Sequence, residues 1–143
     1  MSRSSNWRKI EQMNTPDITL YGIPNCDTVK KARAWLAQQG ANVRFHDFRK
    51  DGVPAGQLPQ WLARLGWQAL LNRRGTTWRR LDPETQANAQ NEAGAAALML
   101  AQPSVIKRPV VQWGPDAAAP ITVGFDEAAF ARALAGAPAH PAK

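Results

Sequence analysis

The sequence has few of the residues that build disulfides and metal centres. Its 143 residues include one cysteine and two histidines. A single cysteine cannot form an intramolecular disulfide, which fits a reducing compartment such as the cytoplasm. His46 and His140 have no second ligand near them in the sequence, so the pattern gives no support for a zinc site. Any disulfide chemistry would need a second thiol from another molecule.

Long apolar runs and nucleotide-binding motifs are also absent. No stretch approaches the roughly 20 apolar residues that a membrane-spanning helix needs. The first residues include arginine and lysine but no apolar run behind them, so the pattern of a secretory signal is missing. The sequence has no P-loop and no Gly-x-Gly-x-x-Gly motif, which leaves nucleotide binding without support. We therefore expect a cytoplasmic protein with no membrane partner.

The composition is that of a folded and basic protein. Apolar residues make up 44% of the chain and charged residues 20%, and the length suits one compact domain. The 18 lysines and arginines exceed the 11 acidic residues, which gives a net charge of +7. This charge admits small anions, acidic proteins and nucleic acid as partners, and it does not choose among them.

Apolar spacing predicts an α/β domain over residues 18–135. Alternating apolar residues predict strands at 18–21, 43–48, 108–111 and 121–124. Helical spacing and capping residues predict helices at 27–39, 58–65, 84–91, 92–102 and 126–134. A helix between the first two strands implies a parallel βαβ unit, and we expect a four-stranded mixed sheet with a helical insertion at about 54–104. We expect residues 1–17 to be a mobile extension and 136–143 a disordered tail.

Cys26 is the residue best suited to chemistry. It lies directly after the first predicted strand, at the start of the first predicted helix. The unpaired N–H groups and the positive end of the helix dipole favour a thiolate at such a position and lower the pKa of the thiol. Lys30 and Lys31 add positive charge within two turns, whereas Asp27 opposes it. The alternative interpretation is a small, inert residue that fills a loop.

The order of strands and helices, with a cysteine after the first strand, resembles the arsenate reductase (ArsC) family, which implies a thioredoxin-like fold. The resemblance covers residues 18–135 and is closest to the Spx/YffB branch, and within it to the YffB type. Five blocks in the same order carry it: LYGIPNCDT at 20–28, KKARAWL at 30–36, RFHDFR at 44–49, ALLNRRGTTWR at 69–79 and IKRP at 106–109.

The resemblance assigns roles to three residues near the predicted site. It implies that Cys26 is the catalytic cysteine and that Arg108 contacts an anion bound beside the sulfur. It also implies that Pro109 is the cis-proline that faces the active site in thioredoxin-like folds. An arginine provides a planar set of donors that suits a carboxylate or an oxyanion, and its charge would stabilise a thiolate.

Departures from the family pattern argue against two of the activities known in the family. Arsenate-reducing members hold the oxyanion with two further arginines, and Asn72 and Gly124 stand at those positions here. The loss of two charged ligands argues against arsenate reduction. Spx-type regulators often carry a Cys-x-x-Cys switch, and Val29 stands at the second cysteine position. An internal redox switch therefore cannot form.

These inferences lead to one functional hypothesis, a glutathione-dependent thiol oxidoreductase with a single nucleophilic cysteine. The Cys26 thiolate would attack a disulfide or an electrophile, and glutathione or a glutaredoxin would supply the resolving thiol. We expect glutathione to be a co-substrate, with no bound cofactor and no metal. The predicted substrate-binding residues are Asn25, Lys30, Arg73, Arg108 and Pro109.

Three alternatives stay open. The first is an Spx-like regulator that binds RNA polymerase without catalysis, and the second is an arsenate reductase coupled to glutaredoxin. The third is a nucleic-acid binder, which is the least favoured. It rests on the net charge and on the basic segment 70–81, where arginines interleave with Trp78. That segment equally suits the carboxylates of glutathione or an acidic protein, and the sequence does not say whether Arg73 or Arg74 faces the cysteine.

Overall fold

One mixed sheet organises the computed structural model, which describes residues 18–115 and 118–136. The strands are β1 (Ile18–Gly22), β2 (Val43–Asp47), β3 (Val110–Gln112) and β4 (Ile121–Val123), in the spatial order β2-β1-β3-β4. β1 pairs with β2 in parallel and with β3 antiparallel, and β3 pairs antiparallel with β4. The predicted four-stranded mixed sheet is confirmed. The predicted extension at 1–17 and residues 137–143 of the predicted tail lie outside the described residues.

Most of the helices come between β2 and β3 in the order of the chain. The helices are α1 (Asp27–Gln38), α2 (Phe48–Asp51), α3 (Leu58–Leu65), α4 (Trp67–Leu70), α5 (Thr76–Arg79), α6 (Pro83–Asn88), α7 (Glu92–Ala101) and α8 (Glu127–Gly136), with a 3-10 turn at Pro103–Val105. None of these described helices is long and apolar enough to cross a membrane. Helix α8 includes Gly136, which the sequence analysis assigned to the tail.

The sheet separates two apolar cores because alternate residues of a strand point to opposite faces. Ile18 and Leu20 of β1 pack on one face with α1 and α8, whereas Tyr21 packs on the other face with the inserted helices. In β3, Val111 packs in the same core as Ile18 and Leu20, and Val110 packs in the same core as Tyr21. This arrangement fixes the position of α1 against the sheet.

Of the predicted boundaries that differ from the structure, two have a clear local cause. The predicted helix at 84–91 ends at Asn88, because Asn91 is extended and its side-chain oxygen accepts a hydrogen bond from Gly94 N at 2.7 Å. An N-cap of this kind starts a new helix instead of continuing the old one. The strand predicted at 108–111 begins at Val110, since Pro109 has no N–H to donate to a ladder.

Candidate active site

Cys26 lies at the junction between the sheet and α1. It is the N-cap residue of α1, with an extended backbone, so it precedes the first helical turn. Its N–H donates to the carbonyl oxygen of Ile23 at 3.2 Å, and its own carbonyl oxygen accepts from Lys30 N at 2.9 Å. These two bonds hold the residue in place, and its side chain is partly exposed.

The surroundings of Cys26 favour the thiolate. Partial burial raises the pKa of the thiol, but the N–H of Val29, the hydrogen bond and charge of Arg108, and the N–H of Thr28 together lower it below its ordinary value. The sulfur makes no capping hydrogen bond of standard geometry, so the helix N-terminus acts on it mainly as a set of nearby N–H dipoles. Lys30 is not among the causes of the shift. The predicted part of Lys30 in binding the substrate stays a prediction.

Arg108 is oriented by the backbone that precedes it. Its Nη1 donates to the carbonyl oxygens of Ser104 and Ile106, at 2.8 and 3.2 Å. These two bonds use both hydrogens of Nη1. Nε is buried and has no hydrogen-bond partner within the described part of the chain. The Arg108–Pro109 peptide is cis, as predicted.

Cys26 and Arg108 share an open cavity of about 500 Å³. Thr28, Asn72 and Asp126 also line it, and so does Lys107, which the sequence analysis did not select. The one feature of the sequence that could have pointed to Lys107 is its position next to Arg108 in the IKRP block. A regular strand would turn the two side chains to opposite faces, so the sequence pattern alone points away from it.

Lys107 occupies space beside Gly124, another residue of the cavity. A Cβ added at Gly124 would lie 3.3 Å from Cε of Lys107 and 3.8 Å from its Nζ. The backbone of Gly124 has a φ of 83°, a conformation that favours glycine. A cation therefore stands next to the position where arsenate-reducing relatives are expected to carry an arginine, although it comes from a different residue.

The other predicted binding residues do not line this cavity. Asn25 and Lys30 are exposed outside it, and Pro109 is buried. Arg73 and Arg74 line an adjoining groove of about 440 Å³ and do not line the Cys26 cavity. Their roles in binding stay predictions. Nε2 of His46 donates a hydrogen bond to the carbonyl oxygen of Gly52 at 2.8 Å.

Comparison with known proteins identifies the family of the chain. The sequence model of the ArsC family matches residues 21–133. The chain belongs to the ArsC family. It therefore has the thioredoxin-like fold expected from the sequence, and it is related to arsenate reductases and to Spx.

Several similar proteins match most of the chain. An uncharacterized protein of Haemophilus influenzae is 40% identical over 118 residues, which are 82% of this chain and 99% of the relative. The global transcriptional regulator Spx of Streptococcus pyogenes is 24% identical over 96 residues, 66% of this chain and 70% of Spx. The structure of the YffB protein superposes with a TM-score of 0.75 at 48% identity, over 82% of this chain and 98% of YffB. The structure of an ArsC-related protein from Brucella melitensis superposes with a TM-score of 0.62 at 45% identity, over 81% of this chain and 92% of that protein.

Proposed function

We propose that this ArsC-family protein is a glutathione-dependent thiol oxidoreductase that works with Cys26 as its single nucleophile. The observation that carries the proposal is the shared cavity in which Arg108 and the N–H groups of Thr28 and Val29 lower the pKa of Cys26. A lowered pKa increases the fraction of thiolate, which is the attacking form. It also makes the same sulfur a better leaving group in the second step.

The proposed reaction is two successive thiol–disulfide exchanges. The Cys26 thiolate attacks the glutathione sulfur of a mixed disulfide, a new Cys26–glutathione disulfide forms, and the substrate leaves as a thiolate that takes a proton from water. A second glutathione thiolate then attacks the glutathione sulfur bound to Cys26. This step releases oxidised glutathione and restores the Cys26 thiolate. The two steps together consume one glutathione thiol, because the mixed disulfide and glutathione become the substrate thiol and oxidised glutathione.

The chain's own residues support this scheme over arsenate reduction. Asn72 and Gly124 both line the Cys26 cavity, in agreement with the positions inferred from the family pattern, and neither has a charged side chain. An amide and a glycine give an oxyanion fewer charge-assisted hydrogen bonds than two arginines would. A single cysteine also fits work in a reducing compartment such as the cytoplasm.

The test begins with the covalent intermediate. The protein is incubated with oxidised glutathione and its intact mass is measured, with Cys26→Ser as the matched variant. We expect one glutathione adduct on the wild type, none on the variant, and removal of the adduct by reduced glutathione. Reduction of a glutathione mixed disulfide is then followed by NADPH consumption in the presence of glutathione reductase.

The same preparations separate the alternatives. A wild-type protein that forms no adduct and gives no turnover above the Cys26→Ser background would overturn the proposal. Retention of RNA polymerase that is equal for the two proteins, without turnover, would favour an Spx-like regulator instead. Enzymatic turnover of arsenate with glutathione and glutaredoxin would show that the argument from Asn72 and Gly124 is wrong.

A further inference from the structure

The groove that adjoins the Cys26 cavity is positively charged. It is lined by Arg73, Arg74 and Lys107, and we name it the basic groove. Its lining among the described residues includes these three cations and no acidic side chain. Asn72 and Lys107 line both the basic groove and the Cys26 cavity, so the two spaces meet along a common wall.

A short backbone pairing fixes this wall. Leu71 and Ile106 form an antiparallel bridge. On either side of it, Asn72 N donates to the carbonyl oxygen of Val105, and Lys107 N donates to that of Leu70, each at 2.7 Å. The bridge residues are buried. The backbone that carries the basic groove is thus tied directly to the segment that ends in Arg108.

Among residues 18–115 and 118–136, no acidic side chain forms an ion pair with the cations of the basic groove. The guanidinium carbon of Arg73 lies 5.9 Å from the centre of the Trp67 ring, a distance at which a cation and an aromatic face attract each other. Arg74 N donates to Oδ1 of Asn72 at 3.2 Å, which closes a turn between two residues that line the groove. The ammonium group of Lys107 lies beside Gly124, at the Cys26 side of the wall.

We propose that the basic groove is a carboxylate subsite for the peptide whose thiol reacts at Cys26. This inference rests on the proposed function and adds to it the part of the substrate that the protein recognises. Two guanidinium groups and an ammonium group provide donors for a carboxylate, and a guanidinium can bind one through two parallel hydrogen bonds. Because the groove and the cavity share a wall, a peptide of a few residues, at about 3.3–3.6 Å each, spans both. The matching ligand class is a short anionic thiol peptide such as glutathione.

The reaction test compares glutathione with its diethyl ester, in which both carboxylates are blocked. Each thiol is used to release the glutathione adduct from Cys26, and the ratio of the two rates is measured. We expect the wild type to prefer glutathione by about tenfold, the factor typical of one hydrogen bond to a charged group. The double variant Arg73→Gln/Arg74→Gln should lose most of this preference. The matched control is Arg79→Gln/Arg80→Gln, because these exposed arginines lie outside the groove.

A binding test keeps this inference separate from the proposed reaction. S-methylglutathione has both carboxylates and no free thiol, so its binding, followed by backbone NMR shifts, needs no chemistry at Cys26. Shifts centred on residues 68–74 that disappear in the Arg73/Arg74 variant would support the subsite even if no adduct ever forms. Equal rates for glutathione and its ester in a reactive protein would overturn the subsite and leave the thiol chemistry standing. Binding of a single-stranded oligonucleotide, but not of S-methylglutathione, would also overturn it.

Discussion

Replacing Gly22 by alanine would force the end of β1 against α1. A Cβ at Gly22 would lie 2.8 Å from Cγ2 of Val29 and 3.4 Å from Cγ1. Carbon atoms pack best at about 3.5–4.0 Å, so the Cγ2 contact is too close by more than about half an ångström. Val29 is fully buried in α1 and is β-branched, and its χ1 has one strongly preferred rotamer in a helix. The side chain therefore cannot move aside, and the helix must shift instead.

The cost of Gly22→Ala follows from two opposing effects. Overpacking of a well-filled core costs about 1–3 kcal/mol. Alanine recovers about 0.5–1 kcal/mol relative to glycine within a strand. We expect a net loss of about 1–2 kcal/mol in the free energy of unfolding. Since Val29 N–H is one of the groups that lower the pKa of Cys26, a shift of α1 should also move that pKa back toward its ordinary value.

A double-mutant cycle in urea tests this explanation. Val29→Ala alone removes two methyl groups and should cost at least about 1.6 kcal/mol. Combined with Gly22→Ala, it makes room for the new Cβ, so the double variant should be more stable than the sum of the single effects by at least about 1 kcal/mol. Gly56→Ala is the control, because a Cβ there meets no atom within 4 Å. Additivity within about 0.5 kcal/mol would refute the proposed clash.

Three further outcomes follow from the site and its supporting strands. Because the pKa of Cys26 is lower in the folded state, its thiolate stabilises the fold fully above the unfolded pKa of about 8.5, and this stabilisation is lost as pH falls through the folded pKa. The excess stability of wild type over Cys26→Ala in urea titrations should therefore rise with pH until it levels off above the unfolded pKa of about 8.5, and a flat difference would contradict it. Arg108→Met should move the pH profile of Cys26 alkylation by iodoacetamide to higher pH, since it removes a hydrogen bond and a charge that favour the thiolate; an unchanged profile would exclude that role. Thr122→Val should cost about 1–3 kcal/mol in thermal unfolding, because the buried Trp113 Nε1 donates to the Thr122 hydroxyl at 3.0 Å and would lose its acceptor. Thr122→Ser keeps the hydroxyl and should lose less, and equal losses would argue against the hydrogen bond.

The parts of the site that local patterns determine could be predicted from the sequence. Cys26 follows an apolar strand and precedes a helical repeat, and both elements form as expected. Its proximity to Arg108 is a long-range feature, and the sequence predicted it only through the resemblance to a family. The two residues then share one cavity in the structure.

The parts that depend on long-range pairing could not be predicted from spacing. Lys107 lines the cavity together with its neighbour Arg108, because this segment pairs with Leu70–Asn72 and is not yet a regular strand. The same pairing puts Arg73 and Arg74 in the basic groove and leaves Asn72 at the boundary with the cavity. Nothing in the local sequence around residue 72 indicates which distant segment it meets.

The pairing of Leu71 with Ile106 also closes residues 73–104 into a long loop, because the segments at its two ends are hydrogen-bonded to each other. The entropic cost of closing a loop changes only slowly as the loop is lengthened or shortened. An exposed position such as Gln90, between α6 and α7, can thus accept an insertion without displacing the bonded ends. The shared wall and the Cys26 cavity are in this way protected from length changes within residues 73–104.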